Sequence, residues 1–268
     1  MRYLVKKELG IDEKEPITLL PDDVIVHFKE IKVNKRLVNV EEFIKVVKEV
    51  YNAREMSEEE KDNRMSEYRK QGKTFEKAYE LVKIEASLVR NIDGITLEKI
   101  LNHYYIPVAY ARDRERLIRH VITVASEIEF ISALKNKIGE LNELCEYWFF
   151  SKIEESKDRG IYIPYIDKNG KPAKFIPDFI FWFKPKQANR YIIYFIDPKG
   201  KAHTDYELKV DGYERIFTEK GEPKKFQYNH MEVEVRLKLF SKDASHVGEK
   251  YGDYWTDETG LFEDLFTS

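Results

Sequence analysis

Apolar and polar residues follow two different rhythms along this chain, and the change between them falls near its middle. In the first part the spacing is helical. Residues 41–52 (EEFIKVVKEVYN) place Phe43, Val46, Val47 and Val50 three and four positions apart, which predicts an amphipathic helix. Ser57 and Glu60 have the spacing of a capping box and open a highly charged helix that runs to about Lys70. Phe75, Ala78, Leu81 and Val82 predict a third helix over roughly 74–90, and Thr96 is expected to cap a short fourth one. Two stretches read as extended, 24–33 (VIVHFKEIKV) and 104–110 (YYIPVAY). Ser126 with Glu129 predicts another capping box, followed by one or two helices through residue 150 in which Trp148, Phe149 and Phe150 pack.

Beyond that point the rhythm is that of strands. IYIPYI (161–166), KFIPDFIFWF (174–183), RYIIYFID (190–197) and EVEVRLKLF (232–240) are rich in β-branched and aromatic residues, with turns DKNGKP and KPKQAN between the first three. A helix is expected at about 205–217. The reading is an α/β chain in which a helix-rich region, residues 1–110, precedes a mixed domain, residues 111–268.

Composition narrows this picture without changing it. The 268 residues are 42% apolar and 13% aromatic, enough for a sizeable core, which excludes a disordered chain. No apolar run approaches the roughly 18–20 residues that cross a bilayer, and no secretory signal is visible, so the expectation is a cytoplasmic protein with no membrane partner. The single cysteine, Cys145, excludes an internal disulfide or a cysteine-rich zinc site. Net charge is −3, so binding to nucleic acid has to rest on a local patch rather than on the overall field.

The chemistry is concentrated in Pro177-Asp178 and Asp197-Pro198-Lys199. Asp178 and Asp197 are equidistant from the middle of the KPKQAN turn, so an antiparallel hairpin folded there sets them directly opposite one another on one face. Lys199, two residues further on, shares that face. Ile180, Trp182, Ile193 and Phe195 lie on the same side, and Phe179, Phe181, Phe183, Ile192, Tyr194 and Ile196 on the other, as in a strand pair covered on both faces. Two like charges about 5 Å apart in such surroundings repel, and a divalent cation with oxygen ligands, Mg²⁺ or Mn²⁺, would resolve the conflict. Of the acids on the preceding helix, Glu127 falls in line with Phe130, Leu134, Ile138 and Leu141 on the inward stripe, while Glu129 neighbours Ser126, Ser132 and Asn136. Glu127 is therefore the expected third acid.

A helical Glu, then Pro-Asp, then Asp-x-Lys on the next strand resembles the signature of the PD-(D/E)XK nuclease superfamily. The longer run HYYIPVAY…HVITVASEIEF…FIPDFIFWF…YIIYFIDPKG…DGYERIF is similar to the C-terminal nuclease region of type III restriction-like helicase–nucleases. The resemblance covers about residues 100–268. It implies a restriction-endonuclease-like fold, a mixed central sheet flanked by helices, and Mg²⁺-dependent hydrolysis of DNA phosphodiesters. By the same resemblance Asp178, Asp197 and the Pro198 carbonyl would hold the metal, and Glu127 would do so directly or through water. Lys199 would orient the attacking water or stabilise developing charge. The implied partners are duplex DNA, a helicase motor and a methyltransferase subunit, or a second copy of the chain.

Between Lys168 and Lys201 there are eight basic residues against two acidic ones, and Lys184, Lys186, Arg190 and Lys201, with Lys209 on the next helix, are the expected phosphate contacts. Other motifs carry less. Pro21-Asp22 with Glu30-Ile31-Lys32 fits the nuclease pattern as text, but a single strand would hold the two acids ~26 Å apart. Gly72-Lys73-Thr74 lacks the first glycine of a phosphate loop, since Glu67 stands there. The six histidines have no metal-ligand spacing, and His203 is notable only for its closeness to Lys199.

Overall fold

The computed structural model describes residues 39–265 except 105–107, 112–120, 156, 157, 159, 187, 200–204, 229 and 243–248. The expected strand at 24–33, the second Pro-Asp motif at 21–32, Lys201 and His203 lie outside the described residues. The chain forms two compact units, one of residues 26–123 and one containing residues 124–268, and the fold is mixed α/β. Among the described residues no helix is long and apolar enough to cross a membrane.

The first unit has three helices, α1 (Val40–Asn52), α2 (Glu58–Lys70) and α3 (Phe75–Glu85), and a three-stranded sheet, β1 (Val89–Ile92), β2 (Ile95–Glu98) and β3 (Val108–Tyr110). Helix α1 buries Phe43, Val46 and Val50 against Ile92, Ile95 and Leu97. The α2 capping box forms with both of its arms, Ser57 accepting from the Glu60 amide and Glu60 accepting from the Ser57 amide.

Two expectations fail here. The third helix stops at Glu85 with Phe75 60% exposed. Thr96 caps no helix and lies in β2. The overlooked signal is Asp93-Gly94, where both residues have positive φ (49° and 76°) and join β1 to β2, the backbone that a two-residue hairpin turn demands.

The second unit is built on a mixed sheet. Helix α4 (Ala125–Leu144) leads into β4 (Cys145–Lys152), then a small hairpin of β5 (Ile163–Ile166) and β6 (Pro172–Phe175), then β7 (Phe179–Pro185) and β8 (Arg190–Pro198). Helix α5 (Tyr206–Phe217), a short hairpin of β9 (Thr218–Glu219) and β10 (Glu222–Pro223), β11 (Phe226–Tyr228), β12 (Met231–Phe240) and β13 (Trp255–Thr256) follow. The sheet order is β11-β12-β8-β7-β4, with β13 also on β12, and β8 runs parallel to β12 across the α5 crossover.

Residues 145–150 form a strand rather than the helix expected of them. Trp148 and Phe150 face inward at 1% and 0% exposure while Phe149 faces out at 45%, the alternation of a half-covered strand. Nor does Ser126 cap α4. Val124 is the N-cap, and Ser126, one residue inside, directs its hydroxyl to the Pro198 carbonyl at 3.5 Å.

One face of β7 and β8, carrying Phe179, Phe181, Phe183, Ile192, Tyr194 and Ile196, is completely buried. Phe130 of α4 packs on Phe179 at 4.8 Å and Phe181 at 6.0 Å, and Phe262 packs edge-on to Phe181, Phe183 and Tyr194. Charged groups buried on this face are paired. Glu234, 2% exposed, binds Arg190 at 3.0 Å and Arg236 at 2.8 Å, and Tyr194 donates to Asp264 at 2.8 Å. Such a network is tolerated because each charge has a partner.

Helix α5 is held by close approach. A Cβ on Gly212 would lie 2.5 Å from the Tyr165 Cβ and 2.7 Å from the Pro164 carbonyl oxygen of β5. Gly212→Ala is expected to destabilise the protein by about 1–3 kcal/mol through overpacking, read by denaturant unfolding. An unchanged midpoint would show that α5 can shift away from β5 at little cost.

Candidate metal-binding site at the end of the β7–β8 hairpin

The ladder between β7 and β8 runs Phe179↔Ile196, Ile180↔Phe195, Phe181↔Tyr194, so the next pair along it is Asp178 and Asp197. The expected register is the observed one. Continuation of the ladder on the other side of Asp178 is shown by its carbonyl, which accepts from the Ile153 amide at 2.7 Å. Asp197 stands at the C-terminal end of β8 opposite Leu239 of β12, where the chain departs toward α5. Ligands of open α/β sheets commonly bind at such strand ends. Both prolines of the motif are buried at the ends of their strands, where a missing N–H costs least.

The two carboxyl groups share a hydrogen bond. Burial, followed by the adjacent Asp197 carboxylate, raises the Asp178 pKa well above the ordinary carboxylate range; Lys152 opposes the shift and Glu127 adds to it. The shift favours the protonated form of Asp178, whose carboxyl is then able to donate to Asp197. Asp197, 3% exposed, is also ion-paired through Oδ2 to the Lys199 ammonium. That contact lacks hydrogen-bond geometry, and Oδ2 has no hydrogen-bond partner among the described residues.

Lysines and one ring complete the surroundings. Lys199 and Lys209 lie 5.6 and 4.9 Å from the ring centroid of buried Phe175 on β6. Burial and the neighbouring Lys199 charge lower the Lys209 pKa, against the pull of Asp197 and Asp178. Lys209 therefore senses both aspartates, a placement the sequence had pointed to only by its charge.

Glu127 is the inward acid of α4, 4% exposed, whereas Glu129 pairs with Lys242 at the surface. It does not join the aspartates in a shared set. Its Oε1 accepts from Lys152 at 2.7 Å, and Oε2 is buried without a hydrogen-bond partner among the described residues. Lys152, the cross-strand partner of Phe179 and 5.6 Å from its ring centroid, takes up Oε1 of Glu127, while both charges still act on Asp178. Among the described residues no group of three or more His, Cys, Asp and Glu side chains is arranged to hold a metal ion. Lys152 is the residue that sequence reasoning missed, because residues 145–150, which lead into it along β4, had been expected to be helical.

The expected phosphate contacts divide. Lys184 donates to the Ala188 carbonyl at 2.9 Å and sits 5.4 Å from the Tyr191 ring centroid. Lys186 binds the Glu143 carbonyl at 2.7 Å, closing the C-terminus of α4, and Arg190 belongs to the Glu234 network. Those two side chains hold the fold together. The electrostatics suit a divalent cation nonetheless: two carboxyls oppose one another where burial disfavours charge on Asp178, and Glu127 Oε2 is buried without a hydrogen-bond partner among the described residues.

The Asp178 proton also has a consequence for stability. Its folded pKa lies above its unfolded value of about 3.9. The stability linked to it is therefore fully present below that pH and is lost as pH rises toward the folded value. Asp178→Asn keeps a donor toward Asp197 without a charge. In chelator it is expected to melt above the wild type at pH 7.5 and close to it near pH 4. Identical melting at pH 7.5 would exclude a shared proton.

A family model described as YagJ family matches residues 118–247, a little under half of the chain, and that span takes in Glu127, Lys152, Asp178, Asp197, Lys199 and Lys209. No curated protein and no solved structure matches the chain.

Proposed function

We propose that the unit containing residues 124–268 is a metal-dependent nuclease that hydrolyses DNA phosphodiesters. In this reading it is a member of the PD-(D/E)XK group, as its sequence resemblance suggests, working in a restriction or defence system beside a helicase motor. The observation that carries the reading is the opposition of Asp178 and Asp197 at the end of an apolar hairpin, with Lys199 against Asp197. Structural ion pairs seldom juxtapose two acids, whereas such perturbed pairs are common where chemistry is done.

Asp178, Asp197 and the Pro198 carbonyl would hold Mg²⁺ or Mn²⁺. The cation supplies Lewis acidity toward the phosphoryl oxygens and lowers the pKa of the attacking water. The residues have their own tasks. Asp178 would release its proton to solvent on metal binding, because two ionised carboxylates this close would require the cation's charge. Lys199, already at Asp197, stands where it can orient water or meet charge that develops on the phosphoryl group. Lys209 contributes a second cation above Phe175. The Lys152–Glu127 pair fixes the start of α4 against the sheet, and Ser126 holds the Pro198 carbonyl from that same turn.

A second reading, a nucleic-acid-binding or assembly module without catalysis, draws on the engagement of Glu127 by Lys152. Calorimetry separates the two. Mg²⁺ or Mn²⁺ binding is expected to release protons, visible as a dependence of the heat on buffer ionisation, and Asp178→Asn is expected to abolish it. In a cleavage panel of duplex, single-stranded and forked DNA plus RNA, Asp178→Ala and Lys199→Ala are each expected to lower metal-dependent turnover by roughly a hundred-fold or more, with circular dichroism unchanged. Absence of both metal binding and cleavage in the wild type would favour the module.

A further inference from the structure

The aspartate face of the sheet does not end at the metal site. Cross-strand pairs Phe149↔Trp182 and Trp182↔Ile193 set these residues in one row across β4, β7 and β8, on the side that carries Asp178 and Asp197. The next row, toward the β7–β8 turn, carries Tyr147, paired with Lys184, and Tyr191. The Tyr147 and Tyr191 rings lie 5.9 Å apart with their hydroxyls hydrogen-bonded, and Phe149 is 6.2 Å from Tyr147.

Burial is graded along this face. Ile180 and Phe195, nearest the aspartates, are 3% and 0% exposed, whereas Phe149 is 45% and Tyr147 37% exposed, with Trp182 and Tyr191 half-buried. An aromatic sheet surface left open to water is costly to maintain without a ligand.

We infer that this surface binds an unpaired nucleic-acid strand, its bases stacked on Phe149, Tyr147, Trp182 and Tyr191, at the turn end of the hairpin whose other end carries Asp178 and Asp197. The inference rests on the nuclease reading and specifies its substrate as single-stranded or forked.

Three observations favour this occupant. The exposed groups are aromatic rather than aliphatic, and open β-sheet faces of this composition suit base stacking. The charge is complementary: Lys184 emerges within the surface over Tyr191, placing an ammonium beside the exposed rings where a phosphate would lie. The exposure is confined to neighbouring positions as well, Phe149 and Tyr147 being the open residues and their rings 6.2 Å apart.

The test is binding in chelator, where no cleavage occurs, using fluorescein-labelled ten-nucleotide oligo-dT and oligo-U and a duplex of matched length. Phe149→Ala and Tyr147→Ala are each expected to weaken binding of the unpaired strands about ten-fold and to leave duplex binding within about two-fold. Oligonucleotide should also quench tryptophan fluorescence in the wild type, since Trp182 borders the surface while Trp148 and Trp255 are buried. The relative response to dT and U identifies DNA or RNA as the strand. Unpaired-strand affinity unchanged in both variants overturns the inference. So does wild-type self-association in sedimentation that these variants abolish without any effect on oligonucleotide, because the surface would then be a protein interface. A parallel cleavage assay with Mg²⁺ keeps the outcomes apart. Cleavage without the stacking effect sinks only this inference, and a stacking effect without cleavage sinks the nuclease reading instead.

Discussion

Electrostatic repulsion between two opposed carboxyl groups at the end of a buried hairpin is the constraint around which the second unit is organised. Apolar side chains on both faces of β7 and β8 exclude the water that would screen Asp178 from Asp197. The protein answers with a raised Asp178 pKa, which favours the neutral acid, and with an ammonium at Asp197. Neither device removes the cost of burial, so the site is a place where stability is spent.

That centre was legible in the sequence because strand periodicity is strict. Once the turn at 184–189 was recognised, the register followed by symmetry, and the opposition of 178 to 197 needed no tertiary information. Helical phase on α4 likewise distinguished inward Glu127 from outward Glu129. The failures have a common origin in short segments where local pattern is ambiguous. Residues 145–150 continue an apolar run directly out of a helix, and only pairing with β7 makes them a strand. Thr96 has a capping residue's chemistry, but the Asp-Gly pair just before it decides the backbone. Lys152 could not be found while its strand was taken for helix. Arg190 and Lys186 are basic residues in a turn whose partners, Glu234 and the Glu143 carbonyl, are supplied by distant chain.

The same sheet serves two purposes on its two sides. The Phe179–Phe181–Phe183 side is sealed by α4 and by Phe262, and its charges are neutralised in the Arg190–Glu234–Arg236 network. The aspartate side is closed only around the carboxyls and becomes progressively more open toward Tyr147. Rigidity on the sealed side is what allows side chains on the other to be presented at fixed spacing.

The participation of Phe262 and Asp264 in that seal has a kinetic corollary. During synthesis both aspartates leave the ribosome some sixty residues before Phe262 does. Until that ring reaches Phe181, Phe183 and Tyr194, α4 covers the reverse of the hairpin through Phe130 on Phe179 and Phe181, and the turn-ward part of that side lacks its last cover. A nascent chain that has emerged only through β12 possesses both aspartates and α4 but not the ring that completes the cover over Phe183 and Tyr194. Completion of that seal therefore waits on Phe262, whereas the pairing of the two aspartate strands does not.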